Sequence, residues 1–398
     1  MRSLIIIVIF LVFFEQSNAF LVKISKDNHI NQPGYITTIT GPNIQAVDIS
    51  NDGTKLFSIF RADYDYCLNV TKLSYSINTT GSFTHCFDNQ NVIGSKITEI
   101  VVAKSANAFY IFSNHKLIAY SISPITTSIK GKIFSQRFTQ KIVEAKLIND
   151  GKNLYVLTAS SKSESGKVIN YRVNSDGSLT KVSSESLSYK PKKIKFNNVE
   201  YMYIQSSKDI YRYELIADGS VIKDDRIITI PSGNILDFDI IAENSTDSKL
   251  VLAIQDTIEN SNVEKGAIAV YKDSSGLVRL LYNINYDNLP REVVSFRDKA
   301  TNQEIFLVAF DYKYEVNLVN SLNAPLIFTA NLDGSFLKLL KKDNLAEIVS
   351  TQSSIIYDLK ENNRLAVFFL KDIQQQQSFL SRKIIGVGNQ SSINIFQL

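Results

Sequence analysis

Apolar positions along this chain fall into two patterns that recur about every fifty residues. The first is a short run that is apolar at nearly every position. It appears at residues 56–59, 109–112, 154–157, 202–204, 250–253, 305–308 and 365–368, which makes Leu56, Phe109, Leu154, Met202, Leu250, Ile305 and Leu365 equivalent points. Such continuous runs suit strands covered on both faces. The second pattern alternates apolar with polar residues, turns at a polar loop containing Gly, and resumes as another β-prone run. It reads Tyr75-Ser-Ile-Asn-Thr-Thr-Gly81-Ser-Phe, Tyr171-Arg-Val-Asn-Ser-Asp-Gly177-Ser-Leu, Tyr213-Glu-Leu-Ile-Ala-Asp-Gly219-Ser-Val and Phe328-Thr-Ala-Asn-Leu-Asp-Gly334-Ser-Phe, with a shorter copy at Tyr271-Lys-Asp-Ser-Ser-Gly276-Leu-Val. A tight hairpin needs φ > 0 at such a Gly, so Gly177, Gly219 and Gly334 are expected to have it.

A β unit repeated at this period cannot bury its faces alone, and the pattern therefore predicts an all-β, seven-bladed β-propeller. The landmark spacings of 53, 45, 48, 48, 55 and 60 residues give the seven units. The last unit supplies only three strands, at residues 355–359, 365–370 and 393–398. An early strand from residues 20–24 or 35–40 is expected to complete it and remove two open edges. The loops expected to be longest are 255–266, 311–325 and 371–391, and the polar run Gln374 to Gln377 is assigned to the last of them.

The first nineteen residues read as a secretory signal peptide. Arg2 is the positive start, residues 4–14 are unbroken apolar, and Ser17-Asn18-Ala19 is a small-x-small cleavage site. The run is too short to span a bilayer, and no later run is long enough either. The expectation is a signal peptide at 1–19 and one propeller domain at 20–398, secreted or held in the secretory-pathway lumen, without a membrane span and monomeric. Four sequons, at Asn69, Asn78, Asn244 and Asn389, are then glycan candidates, all in expected turns or loops. Cys67 and Cys86 are the only cysteines, and an even count in a secreted chain suggests a disulfide. Against that, a turn centred on Thr80 sets Cys86 opposite Ser74 and leaves Cys67 roughly 23 Å away along the strand. The bond then requires residues 61–70 to fold back, and both states stay open.

Removing residues 1–19 takes one Arg and one Glu, so the net charge stays at +4. The basic residues look scattered, with their densest cluster at Lys190, Lys192, Lys193 and Lys195, and nucleic-acid binding is not expected. The turn aspartates Asp176, Asp218 and Asp333 offer one carboxylate each, far short of a calcium shell, so no metal is expected. No nucleotide, zinc or nucleophile-elbow motif is present and no cofactor is expected.

The alternation of an Asn-Asp-Gly turn before an apolar strand with the Tyr-x-Val-x-x-Asp-Gly-x-Leu hairpin, clearest from Val143 to Val182, resembles the seven-bladed lactonase-type propellers. These include 6-phosphogluconolactonases and carboxymuconate-cyclase-like proteins. The resemblance lies in scaffold turns over residues 40–398. It implies a central tunnel with any ligand site at one mouth. Enzymes of that type are thought to use His, Glu and Arg, but His29, His85 and His115 match no such position, so no catalytic residue is carried over. Arg297, Asp311 and Asp358 are the charged residues near inner-strand ends that an enzymatic site would have to draw on.

Counting back from the apolar landmarks places Asp48, Lys146, Lys193 and Asp239 at similar positions on innermost strands, where they would ring the tunnel and face a small polar or anionic ligand. The leading expectation is a secreted binding propeller whose partner is a protein, a glycan or a small polar ligand. The alternatives are a hydrolase or isomerase of a small lactone or sugar acid, and a structural coat, matrix or granule component.

Overall fold

The computed structural model describes residues 21–22, 34–40 and most of 44–397. Residues 1–19, expected to be a signal peptide, and His29, Asn78 and Gly219 lie outside the described residues. Among the described residues there are eight antiparallel sheets, seven of four strands and one of five. Their first strands are Ile44–Ile49, Ile97–Val102, Lys141–Ile148, Lys193–Asn197, Asn234–Ala242, Glu292–Arg297, Phe336–Lys342 and Gln376–Leu380, and the sheets are numbered 1 to 8 in that order. First strands of successive sheets lie side by side, and that of sheet 8 returns to that of sheet 1, so the set encloses an axis. The fold is an all-β propeller, and no described residue is α-helical.

The two sequence patterns have separate places in this architecture. The continuous apolar runs are second strands, and Ala108–Ser113, Glu304–Ala309 and Leu345–Ser350 are buried at every position. The alternating runs are third strands, and beyond them the fourth strands form a half-exposed rim, as Leu277–Tyr286 shows. Among the described residues, six separate apolar clusters hold adjacent sheets together. One joins Tyr110, Leu154 and Tyr171 between sheets 2 and 3, and another joins Leu307, Tyr314, Ile348 and Tyr357 between sheets 6 and 7. The core is thus distributed between sheets.

Six of the counted units correspond one to one with sheets 1–6. The seventh four-stranded sheet is not the last unit as read from sequence. Residues 355–359 and 365–370 belong largely to the five-stranded sheet 7, as its third strand Ser353–Asp358 and fourth strand Asn363–Phe369, whereas Ser392–Gln397 belongs to sheet 8. Leu365 is therefore a fourth-strand residue, and the point equivalent to Leu56 in sheet 7 is Leu345. The run Leu345-Ala-Glu-Ile-Val escapes a search for continuous apolar residues because Glu347 interrupts it. The anomalous 60-residue spacing was the trace of that omission.

Ring closure follows the expected route. Gly34–Thr40 pairs antiparallel with Ser392–Gln397 and completes sheet 8, while Leu21–Val22 adds a fifth strand to sheet 7. Gln376 and Gln377, assigned to a loop, begin the first strand of sheet 8, and Lys313–Leu318 crosses the segment expected as the loop 311–325.

Gly177 and Gly334 have φ of +84° and +85° as expected, but their roles differ. Gly177 is the tip between the third and fourth strands of sheet 3. It lies so close to sheet 2 that a Cβ would come within 2.2 Å of the Ala108 methyl group. The Tyr110 hydroxyl donates to the Gly177 carbonyl at 3.0 Å, fastening one sheet to the next. Gly334 instead lies in the link from Leu326–Asn331, the rim of sheet 6, to the inner strand Phe336–Lys342 of sheet 7. One turn chemistry serves a hairpin and a crossover, because local φ preference does not encode which strand follows.

Cys67 and Cys86 sit directly opposite one another and are disulfide-bonded. The sequence register placed Ser74 opposite Cys86. The correct register pairs Thr71 with Ser82, so the connection is longer than the assumed turn. Asn69, expected in a turn, is mid-strand, paired across to Ser58 and Thr84. Asn389 ends the strand Ile384–Asn389, and Asn244 occupies an exposed turn.

Candidate functional site

The charged residues of the first strands form one connected system. In most sheets a carboxylate on the first strand accepts a backbone N–H from the first strand of the next sheet. Asp48 accepts from Val102 N at 2.7 Å, Glu99 accepts from Ala145 N, and Glu144 accepts from Ile194 N at 2.8 Å. Farther round, Asp237 accepts from Val293 N at 3.0 Å, Asp239 from Ser295 N at 2.7 Å, and Glu292 from Leu339 N at 2.8 Å. First strands of neighbouring sheets diverge and cannot form a full ladder, so carboxylates serve as acceptors for N–H groups that would otherwise lack one.

Sheet 4 departs from this rule because its first strand carries lysines. The Lys193 amine pairs with Asp237, and Lys195 Nζ lies 2.9 Å from Asp239 Oδ1. Lys341 reaches from sheet 7 past sheet 6 to Asp239 Oδ2 at 3.2 Å. Asp239 thus ties together sheets 4, 5, 6 and 7. Burial alone would raise its pKa, but Lys195 and Lys341 outweigh burial and hold its carboxyl well below the usual carboxylate range. Burial would likewise lower Lys195, and the charges of Asp239 and Asp237 hold it above the ordinary lysine value. Each lysine keeps part of its side chain accessible, from 24% for Lys195 to 43% for Lys146, while Asp237 and Asp239 are at 3% and 6%. Carboxylates are therefore the buried half of each pair, and lysine side chains the partly accessible half.

The opposite wall is differently charged. Asp48, Glu99 and Glu144 come from sheets 1–3, and the lysine that acts on Glu99 is Lys146, already 3.1 Å from Glu144. Burial first, with the charges of Glu144 and Asp48 adding to it and Lys146 opposing, leaves the Glu99 carboxyl raised to about 7. Glu292 is also raised, first by burial and then by Asp237.

Of the four residues proposed from sequence, Asp48, Lys146 and Asp239 occupy equivalent positions. They face Phe57, Tyr155 and Val251, each one residue beyond its landmark. Lys193 is two residues out of step, and Lys195, facing Tyr203, is its proper counterpart. Lys341, facing Ala346, is the equivalent in sheet 7, and it was missed because the landmark Leu345 was missed. Arg297, Asp311 and Asp358 do not converge. Arg297 donates to the Glu243 carbonyl at 2.8 Å, Asp311 is held by Arg291 at 2.7 and 2.8 Å, and Asp358 accepts from Asn344 at 2.9 Å. His85 stacks edge-on against Phe87, and His115 is an exposed turn residue on sheet 2. Among the described residues no group of His, Cys, Asp and Glu has a metal-binding arrangement, and no helix is long and apolar enough to cross a membrane.

The class this geometry defines is the β-propeller, and solved structures agree. The chain is similar to the Dos1 propeller, with 11% identity and a TM-score of 0.59, over 92% of this chain and 95% of that one. It is also similar to Sqt1 from Chaetomium thermophilum, with 10% identity and a TM-score of 0.63, over 92% of this chain and all of the other. A functionally unknown protein from Desulfotomaculum acetoxidans gives 11% identity and a TM-score of 0.50 over 82% of this chain and 99% of that one. No family model and no curated protein matches the chain. At these identities the likeness is one of fold, that of a β-propeller.

Proposed function

We propose that the chain is a secreted propeller, one domain from about residue 20, that binds a small polar ligand bearing an anionic group at a mouth of its tunnel. The observation that carries this reading is the division of labour in the inner ring. Its carboxylates are spent on neighbouring backbones, while the side chains of Lys146, Lys193, Lys195 and Lys341 stay partly accessible around them. An ammonium has three donors, and one carboxylate partner leaves donors for a ligand. The secretory reading rests on the residue 1–19 pattern, and the disulfide of sheet 1 is compatible with it. Asn244, exposed in a turn, is the sequon best suited to a glycan, and mid-strand Asn69 the least suited.

Thermal shift of the purified chain against a panel of sugar acids, their lactones and neutral sugars tests the reading. Acids should raise the melting temperature, neutral sugars should not, and Lys146→Ala should weaken the shift. A response identical for acids and neutral sugars would sink it. One observation favours a hydrolase instead, namely that Glu99 titrates near neutral pH as a general acid or base must. Turnover of a sugar lactone, lost in Glu99→Gln, would establish that reading in place of simple binding.

A further inference from the structure

No Asp or Glu occurs between Glu99 and Glu144, whereas Lys104, Lys116, Lys130, Lys132, Arg137 and Lys141 all fall there. This segment builds nearly the whole of sheet 2 and the start of sheet 3. Lys130, Lys132 and Arg137 lie exposed on its outermost strand, Ile129–Arg137. Arg137 is directly opposite Lys116 across the strand pair, a like-charge arrangement that destabilises a sheet. Burial, then Lys132 and Arg137, lowers the Lys116 pKa, the mark of crowded positive charge. Two backbone bonds, Phe138 N to the His115 carbonyl and Ile142 N to the Asn114 carbonyl, gather His115, Lys116, Arg137 and Lys141 at one corner.

Other rims do not look like this. In sequence, the outer strand of sheet 4 intersperses Lys223 and Arg226 with Asp224 and Asp225, and that of sheet 3 carries Glu185 as well as Lys181. Among the described residues no carboxylate forms an ion pair with Lys130, Lys132, Arg137 or Lys141. The carboxylate whose charge is felt at sheet 2 from the tip of sheet 3 is Asp176. It is already occupied by the Ser178 N–H at 2.9 Å and hydroxyl at 2.6 Å.

We propose that the rim of sheet 2, from Lys130 to Arg137 with Lys116 and Lys141 at its corner, is a docking surface for a linear anionic polysaccharide carrying sulfate or carboxylate groups. The row from Lys130 to Arg137 runs roughly 23 Å at ~3.3 Å per residue, an open track suited to a polymer and too shallow for a small anion. Between its cations lie exposed Ser135 and Gln136, while Phe134 is half-buried with its ring edge-on to Tyr171. No exposed ring is therefore available for the base stacking that single-stranded nucleic acid uses. The exposed large apolar residues, Leu277, Leu280, Tyr312, Ile222, Leu326 and Leu337 among them, all lie on other sheets. The rim thus lacks the apolar anchor of a protein-binding hot spot. This surface is independent of the tunnel, and a failure of one reading leaves the other standing.

The test is salt elution of the full chain from immobilised heparin, with neutral dextran as the blank. Retention at physiological salt is expected, and the double variant Lys132→Glu/Arg137→Glu should bind at least about tenfold more weakly because two charge contacts are lost. Lys181→Glu, on the next rim, should elute with the parent. The milder Lys132→Gln/Arg137→Gln pair, with a melting temperature equal to the parent's, separates lost contact from lost folding. The proposal is overturned if the parent passes through unretained, or if both double variants elute with it. It is equally overturned if duplex DNA or a polyglutamate peptide competes more strongly than heparin at equal charge, since the surface would then belong to another class of polyanion.

Discussion

The two walls of the tunnel are built by one rule and charged by different ones. In both, an inner-strand carboxylate accepts the N–H of the neighbouring sheet. From sheet 4 to sheet 7 the acids Asp237 and Asp239 have lysines of their own, and Asp239 has two. From sheet 1 to sheet 3, Glu99 and Glu144 divide one lysine, and Asp48 adds its charge to theirs. In the first wall, Lys195 and Lys341 overcome burial and hold the Asp239 carboxyl charged well below the usual carboxylate range. The second is frustrated: burial first, and then the charges of Glu144 and Asp48 against Lys146, hold a proton on Glu99 near neutral pH. A backbone staple is compatible with either solution, because a carboxyl accepts an N–H bond whether or not it is ionised. Architecture alone therefore does not explain why Asp239 is held charged while Glu99 and Glu292 are both raised.

The largest effect should come from breaking the locked wall. Asp239→Ala removes the partner of two lysines and leaves the buried Ser295 N–H without an acceptor, at a cost of about 3 kcal/mol, moderated because both amines can regain water. Asp48→Ala also strips a backbone partner, but it removes a repelling charge from Glu99, so its cost at pH 8 should be near 1 kcal/mol. Denaturant midpoints with unchanged slopes would measure both. Equal losses would show that the walls do not differ energetically.

Glu99→Gln should act in the opposite direction. The folded pKa of Glu99 is raised from 4.5 to about 7, so its favourable contribution is complete below about 4.5 and is lost as pH rises through about 7. The amide removes the charge that sheets 1–3 cannot neutralise. Above pH 7 the variant should be more stable than the parent by about 2 kcal/mol, and below pH 4.5 the advantage should vanish. Stability curves that remain parallel from pH 4 to pH 8 would refute the frustrated wall.

The two walls also differ in how far sequence reveals them. The repeat, the rim and the positive φ at Gly177 are local consequences of residue type and period, and they are legible. So are Asp48, Lys146 and Asp239, which stand one position from an unmistakable apolar landmark. Lys341 was hidden because Glu347 breaks the apolar run that would have placed it. Glu99 and Glu144 face Phe112 and Leu157, three residues beyond their landmarks and just past a register shift in the inner strand. A count by fixed offset passes over them. The partnership of Lys341 with Asp239 spans 102 residues, which no local window contains. The basic rim of sheet 2 was legible in a different way, through the absence of acidic residues over a long stretch, a signal lost when positive residues are counted alone.

The smallest effect expected on stability is also the sharpest probe of how sheets 1–3 share their charge. Lys146 is nearly half exposed, so its attraction to the neighbouring carboxylates is screened, and Lys146→Met should cost no more than about 1 kcal/mol at pH 8. Its consequence for Glu99 should be clearer than its consequence for the fold. Lys146 is the group that lowers the Glu99 pKa most, against burial and two like charges. Without it the proton should be held more tightly, and the inflection of Glu99 should move upward from about 7. Carboxyl carbon NMR of the parent and of Lys146→Met, followed from pH 5 to pH 9, measures that displacement directly. The same titration applied to Lys341→Met should leave Glu99 in place, since Lys341 belongs to the other wall. Equal displacement by both lysines would mean that the tunnel is one electrostatic unit, and the contrast between its walls would fall.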